Sequence, residues 1–391
     1  MKRISFLVVL LIFVANFYAQ NSLSSILSEI EKNNTTLVAS RQRVDAQKLG
    51  NKTGLTPQNP EVEFNYLWGN PSAIGNRTDF SIRQSFDFPS AYSYKSKIAT
   101  LKNEQADLEY KKQRSEILLQ ARLVCIELTY RNAVKLQLAK RLDNAKRVAN
   151  AYNSKFNAGE TSILEFNKAQ LTLLNVSNMA ESNSLERNAL MAELATLNGG
   201  KAIPFADSTY VEPTISADFD QWYALAERAN PILQWIKQEV AISQKQKQLS
   251  VALSLPKLNA GYMSEKVVGE QFQGVSVGMS IPLWENKNTI KQSKANALAM
   301  QSAEADTKLQ FYNRMKSLHA KAVGMQRNVV DYRKKMLAFN NADLLQKALN
   351  KGEISLTEYI FELSLQYESI DNLFEMELNQ QKTSAELNQY L

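Results

Sequence analysis

The sequence predicts a mainly α-helical chain with a small β portion, built as a duplicated helix–β-hairpin–helix repeat. Three observations predict it: a scarcity of helix breakers, period-2 segments in two places, and an internal self-similarity that runs through the chain. Only 13 Gly and 9 Pro occur in 391 residues, where average usage would place roughly 27 and 20. Between Pro89 and Gly159 there is neither residue, nor is there from Glu160 to Asn198 or from Glu353 to Leu391. A helix filling the first of these stretches would be roughly 100 Å long, a length that ordinary globular domains do not use.

Residues 1–19 read as a secretory signal peptide. Lys2 and Arg3 form the charged start, Ile4–Val14 the apolar core, and Ala19 the small residue before a cut at Gln20. No later run of about 18 apolar residues occurs, so a membrane crossing would have to use strands closed into a barrel. The net charge of +7 becomes +5 once the two cations of the signal are removed (7 − 2), and no basic patch points to nucleic acid.

Repeat 1 covers 20–200, with a helix at 22–56, a β-hairpin at 60–88, a long helix at 90–158 and a return helix at 160–198. A linker at 201–217 leads to repeat 2 at 218–391, with a helix at 218–255, a hairpin at 256–284, a long helix at 286–351 and a return helix at 353–391. Asn34–Tyr66 aligns without gaps on Asn230–Tyr262 at an offset of 196. Asn157–Phe166 aligns on Asn350–Tyr359 at an offset of 193, with Gly, Glu, Ser, Glu and an aromatic residue in identical spacing. Seams at spacings of 3 and 4, such as Leu138, Leu142, Ala145, Ala149, Tyr152, Phe156, predict coiled-coil packing.

In the first hairpin Val62, Phe64, Tyr66 and Trp68 share one face, and Thr78, Phe80, Ile82, Gln84, Phe86 and Phe88 share a face of the partner strand. The opposite faces carry Glu61, Glu63, Asn65 and Arg77, Asp79, Ser81, Arg83. The second hairpin repeats this with Leu258, Ala260, Tyr262 and Val275, Val277, Met279, Ile281, Leu283, against Ser276, Gly278 and Ser280. One apolar face and one polar face are what an outer-membrane barrel needs. Four strands cannot close one. Either they form a small sheet resting on the helices, or three chains contribute twelve strands to a shared barrel with a water-filled lumen. A return of two shorter helices in line matches the length of each long helix, so the helices would continue the barrel as a tube.

The duplicated order and the two reversals, Phe156–Gly159 through Glu165 and Leu349–Gly352 through Glu358, resemble the TolC family of outer-membrane efflux proteins over about residues 21–391. The resemblance implies a homotrimer with a twelve-stranded β-barrel among the lipids of the bacterial outer membrane, continued by a long α-helical coiled-coil tunnel in the periplasm. It implies passive efflux of small molecules or cations, with a periplasmic adaptor and an inner-membrane transporter, the RND type among the candidates. A type I protein-secretion duct would share this architecture, and a soluble periplasmic coiled-coil scaffold is the reading from another class. The adaptor-docking tip implied is Gly159, Glu160, Thr161, Ser162 with Gly352, Glu353, Ile354, Ser355. Glu165 and Glu358 match the acidic position at the periplasmic entrance, where three copies of each would form a cation-selective ring. Family members with a described gate carry an aromatic residue before the second glycine and a basic one after it. Here Leu349 and Ile354 stand in their place, so closure is expected to rest on packing alone.

No catalytic, cofactor or metal site is expected. The chain has neither a GxGxxG nor a Walker A loop, and its single His319 and Cys125 read as packed helix residues. Ten methionines form no close cluster.

Overall fold

The computed structural model describes residues 23–337 and 342–391, and the expected signal segment lies outside the described residues. The elements run α1 (Leu23–Asn33), α2 (Thr35–Gly50), β1 (Glu61–Leu67), β2 (Arg77–Phe86), α3 (Pro89–Asn157), α4 (Ile163–Leu197), α5 (Phe219–Ala229), α6 (Pro231–Leu253), β3 (Lys257–Val267), β4 (Glu270–Ser280), α7 (Thr289–Leu337), α8 (Ala342–Lys351) and α9 (Leu356–Leu387). The 69-residue α3 starts on Pro89, whose missing N–H costs nothing in a first helical turn.

Helices expected to be continuous at 22–56 and 218–255 are each two helices, divided at Asn34 and Asn230. These asparagines are equivalent across the repeat. The Asn34 Oδ1 accepts the Leu37 N–H at 3.0 Å, and its Nδ2 donates to the Leu197 carbonyl at 2.8 Å. The Asn230 Oδ1 accepts from Ile232 N–H at 2.7 Å and Leu233 N–H at 3.3 Å, with Pro231 opening the next helix. An asparagine that satisfies the first orphan donors of the following helix favours a restart over continuation.

The repeats do not coincide with the compact units. One unit takes residues 23–38, Gln113–Ala226 and Asn313–Leu391, while the other takes Ala39–Lys112 and Glu227–Tyr312. Each therefore draws on both repeats. In the first, Ile26 and Ile30 of α1 pack with Ala121, Val124, Cys125 and Leu128 of α3 and with Leu194 and Leu197 of α4. Burial pushes the Cys125 thiol up to about 12, which makes it inert as a nucleophile.

The linker of this unit is an ordered strap. Ile203 and Phe205 enter the same core, and five of the strap's carbonyls each accept a side-chain donor from a helix. Arg187 of α4 donates to Phe205 O at 3.3 Å and Asn132 of α3 to Asp207 O at 2.9 Å. Gln381 of α9 reaches Val211 O at 2.7 Å, and Gln326 of α7 reaches Pro213 O at 3.4 Å. His319 of α7 donates Nε2–H to Ser216 O at 2.7 Å, with its ring 5.4 Å from Phe219 and 6.0 Å from Trp222. A segment without sheet partners needs such donors when its backbone lies against helices.

The second unit packs Ala91 and Ile98 of α3 against Ile242, Leu249 and Ala252 of α6. It also carries the sheet, antiparallel throughout in the order β1-β2-β3-β4. The strands stop short of the expected hairpin ends, leaving Trp68, Phe88, Ile281 and Leu283 beyond them. Gly69, Pro89 and Pro282 follow these ends, and a proline has no N–H for a ladder.

Candidate functional site

The two helix reversals share one construction. A glycine at φ 74° follows the last residues of both α3 and α8, Gly159 and Gly352. Gly159 N–H donates to Phe156 O at 3.0 Å and Glu160 N–H to Lys155 O at 2.8 Å; Gly352 N–H donates to Leu349 O at 3.0 Å and Glu353 N–H to Ala348 O at 2.9 Å. This pair of bonds satisfies the last carbonyls of a helix and requires the left-handed conformation at the glycine. Three residues later Ser162 and Ser355 cap α4 and α9, their Oγ atoms accepting the N–H of Glu165 and Glu358, each at 3.2 Å. The return helices accordingly begin at Ile163 and Leu356, not at 160 and 353. Thr161 and Ile354 sit in the two-step connection between stop and restart.

The two candidate entrance carboxylates have different surroundings. Glu358 completes a reciprocal cap, its Oε2 accepting from Ser355 N–H at 2.8 Å and Ser355 Oγ–H at 2.9 Å. The backbone bond, and then the hydroxyl bond, hold its carboxyl below the usual carboxylate range. A depressed value means the cap is complete above the ordinary carboxylate range and is lost only as pH falls through the lowered one. Glu165 instead lies 3.6 Å from Lys168 Nζ, and that ammonium also donates to Thr357 Oγ1 at 2.6 Å.

Above the reversals the chain contains polar links between helices that the sequence reading missed. Arg141 of α3, with its side chain 4% exposed, grips Asp371 of α9 through Nη1 at 2.9 Å and Nη2 at 2.6 Å. Its guanidinium lies 4.4 Å from the Tyr367 ring centre. The buried Tyr359 hydroxyl shares hydrogen bonds with Asn144 of α3 and with Gln346 of α8, the latter at 2.7 Å. Charged and aromatic bonds thus tie α9 to α3 within the chain. The Arg141–Asp371 pair lies well along the helices from Gly352, whereas Tyr359 ends the aligned stretch Asn350–Tyr359 itself. A signal was available, because Arg141 interrupts a buried seam of Leu138, Ala145 and Val148.

The sheet is the other surface whose chemistry the fold leaves unused. Directly opposed residues in an antiparallel ladder point to the same face. The register Val62–Ile82–Tyr262–Val275, with Phe64 opposite Phe80 and Phe86–Leu258–Met279, gathers most of the apolar side chains on one face. Val275 and Val277 are each 85% exposed, and Phe64 and Val62 each 65%. The reverse face carries Glu61 opposite Arg83, and Asn65–Asp79–Glu265 in one row. There Arg77 bonds Asp79 at 2.8 Å and Glu265 at 3.2 Å. Both edge strands, β1 and β4, are open among the described residues. Also among these residues, no helix is long and apolar enough to cross a membrane.

No family model and no curated protein matches the sequence. Solved structures do match in fold. The CmeC outer membrane channel of Campylobacter jejuni superposes with a TM-score of 0.75 at 12% identity, covering 94% of this chain and 85% of that one. The outer membrane protein VceC of Vibrio cholerae gives 0.73 at 13% identity, covering 96% of each chain. The open state of the MtrE outer membrane channel of Neisseria gonorrhoeae gives 0.71 at 12% identity, covering 94% and 88%. The chain has the fold of these channels over nearly its full described length, the helical hairpins and the four-stranded sheet included.

Proposed function

We propose that the chain is the outer-membrane exit duct of a tripartite efflux pump, passing small molecules or cations from periplasm to exterior without catalysing a reaction. In this reading three chains each contribute four strands to one twelve-stranded barrel in the bacterial outer membrane, and their helices form a periplasmic tunnel. The observation that carries it is the sheet, whose contiguous apolar face is exposed while, among the described residues, both of its edges lack partners. An exposed apolar face is costly in water and favourable in lipid, and open edges are removed by closing a barrel with neighbouring copies. The likeness to proteins described as outer membrane channels supports the same reading.

Export energy would come from an inner-membrane transporter joined through a periplasmic adaptor that docks on the paired reversals, Gly159 to Ser162 and Gly352 to Ser355. Membrane fractionation tests the reading. The protein is expected in the outer membrane and extractable only with detergent, whereas recovery with the soluble periplasmic contents would support a coiled-coil scaffold instead.

The entrance carboxylates are tested by Glu165→Gln together with Glu358→Gln. Glutamine at position 358 keeps a capping group while removing charge. A reduced cation preference in bilayer reversal potentials is the expected result. An unchanged potential would remove both residues from the selectivity account.

A further inference from the structure

We infer that the polar face of the sheet carries a contact for hydrophobic organic cations, formed by Phe272 beside Glu265 and Met263. The inference rests on the exit-duct reading, in which this face lines the water-filled lumen. A lumen wall has no need of large apolar side chains, yet Phe272 is 63% exposed there and Met263 is 53% exposed. Their side is fixed by register. Phe272 stands directly opposite Glu265, in the row of Asn65 and Asp79, and Met263 stands opposite Gly274. Met263 and Phe272 are diagonal neighbours on adjacent strands, within reach of each other's side chains. Gly274 leaves the neighbouring wall bare, with open space where its side chain would stand.

Charge complements the ring. On this face Glu61, Glu63, Asp79, Glu265 and Glu270 face three cations, Arg77, Arg83 and Lys257, so each sheet contributes a net charge of −2 (3 − 5). An anion is repelled by such a wall. A small hydrated metal cation keeps its water and gains nothing from an aromatic face, whereas a cation carrying apolar groups gains from ring and thioether together with the net negative charge of the wall, Glu265 itself lying 3.2 Å from Arg77. The rows nearer the helices lack this combination, holding Gly261 and Ser276 beside Glu61 and Arg83. The outer half of the wall therefore selects for amphipathic organic cations among small solutes.

The test uses the purified full-length protein in planar bilayers, with tetraphenylphosphonium and tetramethylammonium as probes of the potassium current. Tetraphenylphosphonium is expected to block at lower concentration than tetramethylammonium. Phe272→Ser is expected to raise its half-blocking concentration roughly threefold to tenfold, Phe272→Tyr to restore it, and neither to change the current in potassium chloride alone. Equal block of wild type and Phe272→Ser would overturn the inference while the duct reading stands. If the wild type carries no channel current, the duct reading falls and takes this inference with it.

Discussion

Arginine in place of Val277 is expected to keep the chain out of the outer membrane. Val277 sits within β4 on the apolar face, opposite Ala260, and is among the most exposed apolar residues of the chain. A lipid-facing arginine near the bilayer midplane costs about 2–4 kcal/mol, and three copies in one barrel would cost roughly 6–12 kcal/mol, as much as the whole stability of many proteins. The control is three residues away on the same strand. Gly274 lies on the polar face with open space above it, so Gly274→Arg is expected to assemble normally. Outer-membrane recovery of detergent-stable oligomer is the readout, and equal recovery of both variants would contradict the assignment of the faces.

The second large effect concerns the reversals. Valine at both 159 and 352 is expected to abolish crosslinking between adaptor and probes placed at Thr161 or Ile354, with the barrel still assembled. Both glycines hold φ 74° with nothing near the position of an added Cβ, so the demand is on backbone conformation and not on space. An L-residue pays roughly 1–2 kcal/mol in that region, and a β-branched one more. Asparagine tolerates it, so Gly159→Asn with Gly352→Asn should retain crosslinking. Undiminished crosslinking in the valine pair would show that the adaptor docks elsewhere.

Much of the fold was legible because the repeat wrote it twice. Gly159 and Gly352 stood out as isolated breakers between long empty stretches, and the alternation Val62, Phe64, Tyr66 against Glu61, Glu63, Asn65 announced a two-faced strand. Asn34 was not legible as a helix boundary, since without a following proline it reads as one more polar helical residue. Asn230-Pro231 did carry the signal of a cap and a first turn. The interleaving of the repeats into two units could not be read from a linear order, because contacts between distant segments decide it. Arg141 illustrates the same limit, its partner Asp371 lying 230 residues away. Of the candidate site, the reversal backbone was visible in its glycines and serines. That Glu358 caps its own helix while Glu165 faces Lys168 depends on rotamers that a repeat alignment treats as equal.

The mass of the detergent-extracted protein tests the shared barrel most directly. Light scattering with the detergent contribution subtracted should return about three times the mass of one mature chain, as twelve strands from three four-stranded sheets require. A single-chain mass for protein that stays in solution without detergent would contradict the account.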